Sequence, residues 1–223
     1  MPVAVRPHVV AFDVNETIVS LEPVRDRLVA FGEPPGTLEL FFARTLQHCF
    51  VLATLDQWRP FREVARTALR QSTDLSDDQI GHVLAAFGEL PPQPDVDPAF
   101  RRLVAAGIRI VALTHGPAST ATAMLERTGL DRYVEHVITG ETVRSFKPAR
   151  APYLYACAVC GVDPAQMALV AAHAWDCHGA RVAGLTTGWV SRREGTIPDI
   201  YLPADVVGDT LVEVVEGLLG LPD

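Results

Sequence analysis

The sequence predicts an α/β fold, a Rossmann-like doubly wound parallel sheet core with an inserted helical cap. Two observations predict it. Short apolar, β-branched runs alternate with helical stretches at the start of the chain and again from about residue 93. That is the pattern of parallel strands buried on both faces and joined by crossover helices. Between these parts, residues 20–92 carry helical periodicity with no strand-like run. The expected division is an α/β core of 1–19 and 93–223 and a helical cap of 20–92.

The elements follow in order. His8–Val14 (HVVAFDV) reads as a buried strand that stops at a polar cluster, Asp13–Thr17. LEPVRDRLVAFG, GTLELFFARTLQHCFVLATL, QWRPFREVARTALRQS and SDDQIGHVLAAFGEL read as helices, the last with a start signal at Ser76-Asp77-Asp78. The proline-rich stretch Leu90–Pro98 is a break. Strands are then expected at Ile108–Leu113, His136–Thr139, Met167–Ala171, Thr187–Val190 and Val206–Val207. Helices are expected at Ala118–Arg127, Ala151–Cys160, Asp176–Ala183 and Leu211–Leu219, the first three followed by Gly129, Gly161 and Gly184.

Composition narrows the function. A chain of 223 residues suits one large domain or a core with an insertion. The formal net charge is −8, and there is no Lys/Arg cluster. Nucleic acid and anionic membrane are therefore poor partners, and an anionic small molecule needs a local positive site. The opening MPVAVRPHVVAFDV does not read as a signal peptide, no stretch approaches the length of a membrane span, and Cys49, Cys157, Cys160 and Cys177 suit a reduced compartment. The expected location is cytoplasmic. Cys157 and Cys160 lie in YACAVCG, an apolar helix face with no second pair to complete a zinc site.

In an open α/β sheet, ligands bind beyond the carboxyl ends of the strands. Asp13 follows the first strand, Thr114, His115 and Gly116 the second, Lys147 the third, and His173 and Asp176 the fourth. Singly, each has a plain reading as a cap, turn or loop residue. Together they bring polar chemistry to one edge, which a structural sheet does not require.

The segments AFDVNET, ALTHGP, SFKP and AHAWDCHGARVAGL resemble, in order, the four motifs of the haloacid dehalogenase-like superfamily. The resemblance implies a nucleophile at Asp13, an anion-holding hydroxyl at Thr114, a lysine at Lys147 and an acid at Asp176. Most members are magnesium-dependent phosphatases with a second Asp two residues after the nucleophile. Here that place holds Asn15, which cannot protonate a leaving alkoxide. Ala171 takes the place of a metal-binding acid.

AWDCHGAR, and the spacing of Lys147 and Tyr153, resemble instead the metal-independent type II 2-haloacid dehalogenases. That resemblance implies no metal and no cofactor, a small anionic 2-haloacid as substrate, and a homodimer. Asp13 would attack the α-carbon and expel halide, leaving an ester that water hydrolyses. Halide leaves without a proton, so Asn15 at the catalytic centre is tolerable. Thr17 would hold Asp13, and Lys147 would keep it ionised. Thr114, His115, Gly116, Lys147 and Tyr153 would hold the substrate. Asp176, with His173, would activate water, or His173 would orient Asp176. Arg44 would reach from the cap toward the halide. The chain departs from that branch at Asn15, at Thr114-His115 and at Ala171-Ala172-His173. Two other readings stay open: a phosphatase or phosphonate hydrolase, and a non-catalytic relative that binds an anion.

Overall fold

The computed structural model describes residues 4–223. The first strand, β1 (Val9–Asp13), is buried along its whole length. A tight turn follows, in which the N–H groups of Ile18 and Val19 donate to the carbonyl of Val14. Four helices come next: α1 (Glu22–Ala30), α2 (Thr37–Thr54), α3 (Phe61–Ser72) and α4 (Asp77–Ala85). Ser76 and Gln79 form a reciprocal capping box at the start of α4. The outgoing and returning chain segments are tied together, Ser20 N–H to the Pro91 carbonyl and Gln93 N–H to the Ile18 carbonyl.

The rest of the chain alternates. α5 (Val96–Ala105) leads to β2 (Arg109–Thr114), α6 (Ala118–Thr128), β3 (Val134–Thr139), the short α7 (Gly140–Val143) and α8 (Arg150–Cys160). β4 (Met167–Ala171), α9 (Ala174–Ala183), β5 (Thr186–Val190), β6 (Val206–Gly208) and α10 (Leu211–Leu219) complete it. All pairings are parallel, in the order β3-β2-β1-β4-β5-β6. The order reverses direction between β1 and β4, so the helices that follow these strands pass to opposite faces and leave a crevice at their carboxyl ends.

Alternation along β1 divides the core. Val10 and Phe12 face a cluster that includes α5, α10 and the helices α1–α4, while Val9 and Ala11 face one built on α8 and α9. Phe12 packs on Phe100 with ring centroids 4.8 Å apart. A fully buried side chain of this size stabilises the fold by about 2–3 kcal/mol. The apolar layer under the sheet thus continues without a gap into the four inserted helices.

Several elements differ from the sequence reading, which did not expect the ten-residue helix α5 at all. The proline-rich break is shorter than expected, because α5 begins at Val96 and Pro98 sits in its first turn, where a missing N–H costs nothing. α7 was not foreseen, being only four residues long. α9 starts at Ala174 rather than Asp176, so Asp176 lies inside the first turn and His173 is the residue that precedes the helix.

Candidate active site

Asp13 ends the central strand, and its carboxylate is nearly buried. One oxygen, Oδ1, accepts from Lys147 Nζ at 2.8 Å. The other, Oδ2, accepts from the Thr17 hydroxyl at 2.8 Å. Thr17 in turn accepts from the Ala172 N–H at 2.9 Å, which ties the turn after β1 to the end of β4.

Lys147 is 1% exposed. Its three protons have three acceptors: Asp13 Oδ1, the Leu113 carbonyl at 3.2 Å and Asp176 Oδ2 at 2.5 Å. Asp176 is wholly buried, and the Tyr153 hydroxyl donates to its Oδ1 at 2.6 Å. Close packing seats this group. A methyl added at Gly179, one turn beyond Asp176, would lie 2.5 Å from the Pro148 side chain and 2.8 Å from the Tyr153 hydroxyl. Only glycine lets α9 approach Pro148 and Tyr153 this closely.

The charges set one another. Burial alone would raise the Asp13 pKa, but Lys147 and His173 outweigh it and hold the carboxylate well below its usual range. Burial would lower Lys147, yet Asp13 and Asp176 keep it raised and charged. Asp176 goes the other way: burial, with repulsion from Asp13, raises its pKa despite Lys147. Of the two carboxylates sharing one ammonium, Asp13 is the nucleophile-like, firmly ionised one. Asp176 is the one better able to accept a proton.

A second set of charges lies on the other flank. His173 Nδ1 stands 3.5 Å from Asp13 Oδ2, and Nε2 is 2.9 Å from Glu16 Oε2. Burial opposes a charged ring, but the two carboxylates prevail and push the His173 pKa up to about 10. Glu16 also meets Arg193 Nε at 2.9 Å, and Arg193 reaches Glu39 on α2 at 3.4 Å. His115 behaves oppositely. Burial and the Lys147 cation push its pKa down to about 3, so it is neutral. Its Nε2 is buried with no partner among the described residues.

Aromatic rings from the inserted helices close over these groups. Phe42 lies 5.8 Å from the His173 ring, Phe50 5.1 Å from Trp175, and Phe61 6.2 Å from His115. Beside the strand ends is a cavity of about 270 Å³. Asn15, Thr114, Gly116 and the first turn of α6 line its polar side, and Phe61, Ala65, Leu84 and Phe87 its apolar side. The Thr114 oxygen accepts from the Gly116 N–H at 3.1 Å.

Several expected residues therefore converge: Asp13, Thr17, Lys147, Asp176 and His173 in the buried cluster, and Asn15, Thr114 and Gly116 on the cavity wall. Others are corrected. Arg44 is turned away, with its guanidinium donating to the Gln71 carbonyl beside Gln47, His48 and Val51. Its position on α2 faces outward because Phe41, Phe42 and Thr45 occupy the buried face. Tyr153 is fully buried behind Asp176 and positions that carboxylate rather than facing the cavity. In the free protein all three Lys147 protons are engaged by Asp13, the Leu113 carbonyl and Asp176. His173 touches Glu16 and approaches Asp13, with no bond to Asp176, and its charged ring cannot take a proton from water. Glu16 was missed. Its position in the polar cluster after β1 was the available signal, but its inward aim depends on a left-handed backbone, φ 64°.

Magnesium requires mainly carboxylate and water oxygens. Here the positions beside Asp13 hold Asn15, Ala171 and the Lys147 ammonium, a donor set that does not fit the ion.

Comparisons with known proteins identify the family and the fold. The family model of the haloacid dehalogenase-like hydrolases matches residues 7–184. Over 165 residues the chain is 30% identical to the (S)-2-haloacid dehalogenase 4A of Burkholderia cepacia, covering 73% of this chain and 68% of that one. It is 34% identical over 128 residues to a plasmid-encoded phosphoglycolate phosphatase of Cupriavidus necator, covering 57% of this chain and 54% of that one. The structure of an L-2-haloacid dehalogenase from Xanthobacter autotrophicus superposes with a TM-score of 0.84 at 22% identity, covering 96% of this chain and 99% of that one.

Proposed function

Because the chain belongs to the haloacid dehalogenase-like hydrolases, we propose that it hydrolyses the carbon–halogen bond of 2-haloacids without a metal, through an ester on Asp13. The observation that carries this reading is the Asp13–Lys147–Asp176 cluster. It holds one carboxylate ionised and one with raised proton affinity, with a lysine in the space near them.

We place the substrate in the cavity beside the strand ends, whose wall includes Val14 and Asn15, the residues that follow Asp13 in the chain, though not Asp13 itself. Its carboxylate is held by the Thr114 hydroxyl and by N–H groups at the start of α6, where the helix dipole favours an anion. Its carbon chain lies against Phe61, Ala65 and Leu84. Asp13 displaces halide from the α-carbon; desolvation and alignment make the carboxylate an effective nucleophile. Halide needs no proton, so Asn15 suffices where a phosphatase places an acid. Asp176 then accepts a proton from the water that attacks the ester. Residues 20–92 act as the cap that keeps other water out. Among the described residues no helix is long and apolar enough to cross a membrane. We place the protein in the cytoplasm, as a homodimer.

The test is halide release from a panel of 2-haloacids in the presence of chelator. The wild type releases halide, and Asp13→Asn lowers the rate at least about a thousand-fold. Release that requires added magnesium, or turnover of phosphate esters alone, would reject the reading.

A further inference from the structure

The two nitrogens of the His173 ring both face carboxylates. Nε2 meets Glu16 at 2.9 Å and Nδ1 faces Asp13 Oδ2 at 3.5 Å. Nε2 is hydrogen-bonded to Glu16, while Nδ1 is buried with no hydrogen-bond partner among the described residues and is aimed at Asp13. The feature that creates this arrangement is Glu16. Its φ of 64° lies in the left-handed region that favours glycine. A large acidic side chain in that conformation is uncommon, and it points inward, 7% exposed, instead of into solvent. Backbone conformations of this kind persist where the surroundings fix them, and they gather at functional sites.

We propose that Glu16 is a positioning residue that aims the His173 ring at Asp13, so that its Nδ1–H donates to the oxyanion formed when water attacks the Asp13 ester. The inference rests on the ester mechanism proposed above. In that step the water oxygen bonds to the Asp13 carboxyl carbon, the carbonyl electron pair moves onto oxygen, and the water proton passes to Asp176. Collapse breaks the bond to the alkyl oxygen, which takes the proton and leaves as the 2-hydroxy acid. Asp13 returns to a carboxylate, and the remaining proton goes to solvent with the halide. A cation beside the oxygen that gains charge stabilises that transition state more than the ester before it.

The electrostatic surroundings of the ring are consistent with this. Asp13 on β1 and Glu16 on the following turn face it as anions. Lys147, before α8, and Arg193, after β5, are cations nearby. His115 after β2 is neutral. Glu194 is engaged by the Ala174 N–H, and Glu39 on α2 by Arg25 and Arg193. Phe42 and Trp175 pack near the ring without titrating.

Two variants test the proposal. Glu16→Gln keeps the shape, and Glu16→Gly suits the left-handed backbone and so guards against failure to fold. Nitrogen NMR of the free protein reads His173 directly. The wild-type ring carries both protons at neutral pH, and in both variants its midpoint moves down by at least about one unit. In turnover of a 2-haloacid, Glu16→Gln slows ester hydrolysis about tenfold, more than it slows halide release, and the alkylated protein accumulates by intact mass. A wild-type ring with one proton at neutral pH, an unchanged midpoint in both variants, or equal slowing of the two steps would overturn the proposal. Absence of halide release by the wild type would instead reject the mechanism on which it rests, while the ring titration still decides whether Glu16 governs His173.

Discussion

Asp13 is flanked by two sets of charges that are built differently. On one flank, Lys147, Asp176 and Tyr153 are all but sealed from solvent, and every donor of Lys147 is used within 3.2 Å. On the other, His173, Glu16, Arg193 and Glu39 form a chain that grows more exposed with distance. The side chains run from 6% exposed at His173 to 31% at Arg193 and 43% at Glu39. The sealed flank gains its strength from low dielectric and complete pairing. The open flank ends in water, where an ion pair is worth little. The first can fix the protonation of a nucleophile; the second can link the inserted helices to the ring beside it.

That contrast predicts a graded response. The largest effect falls on the sealed flank. Lys147→Met leaves two buried carboxylates without their cation and should destabilise the fold by about 3–5 kcal/mol, read by urea unfolding. An unchanged midpoint would mean that the flank is wetter than its packing indicates.

The next effect separates the flanks by pH. His173 has a folded pKa near 10, raised above its ordinary 6.5. Its contribution to stability is therefore complete below about pH 6.5 and is lost as pH rises through about 10. Asp13 has a lowered pKa, so its contribution is present above the ordinary carboxylate value and is lost only on acidification. His173→Gln should flatten the alkaline fall in thermal stability and make the acid limb shallower, because His173 is one of the two groups that hold the Asp13 pKa down.

Tyr153→Phe removes one donor to the buried Asp176 oxygen and should cost about 1–3 kcal/mol. It should also lower the rate of ester hydrolysis, because Asp176 loses its orientation. A change in substrate affinity alone would return Tyr153 to the cavity wall. The smallest effect is expected at the solvent end. Arg193→Met should change stability by about 0–1 kcal/mol, since its side chain is about a third exposed.

The same contrast explains what was legible in the sequence. The sealed flank was readable because the strand ends were. β-branched runs stopped at polar residues, and parallel topology brings those ends to one edge, so Asp13, Lys147 and Asp176 could be placed together. Their finer roles were not readable. Tyr153 faces Asp176 because of where α8 packs on α9, and Arg44 faces outward because of the phase of α2, which several adjacent apolar residues left ambiguous. The open flank was nearly invisible. Glu16 turns inward through a backbone angle that no propensity favours, and Arg193 meets it from a loop 177 residues later in the chain. His173 was found, but its charge depends on partners that the sequence does not place.

The central claim is a covalent ester on Asp13, and single turnover in water labelled with heavy oxygen tests it most directly. With enzyme in excess over a 2-haloacid, the account predicts that the product hydroxyl is unlabelled and that the peptide carrying Asp13 gains the heavy oxygen. Label in the product, with none in that peptide, would contradict the account and show direct attack by water.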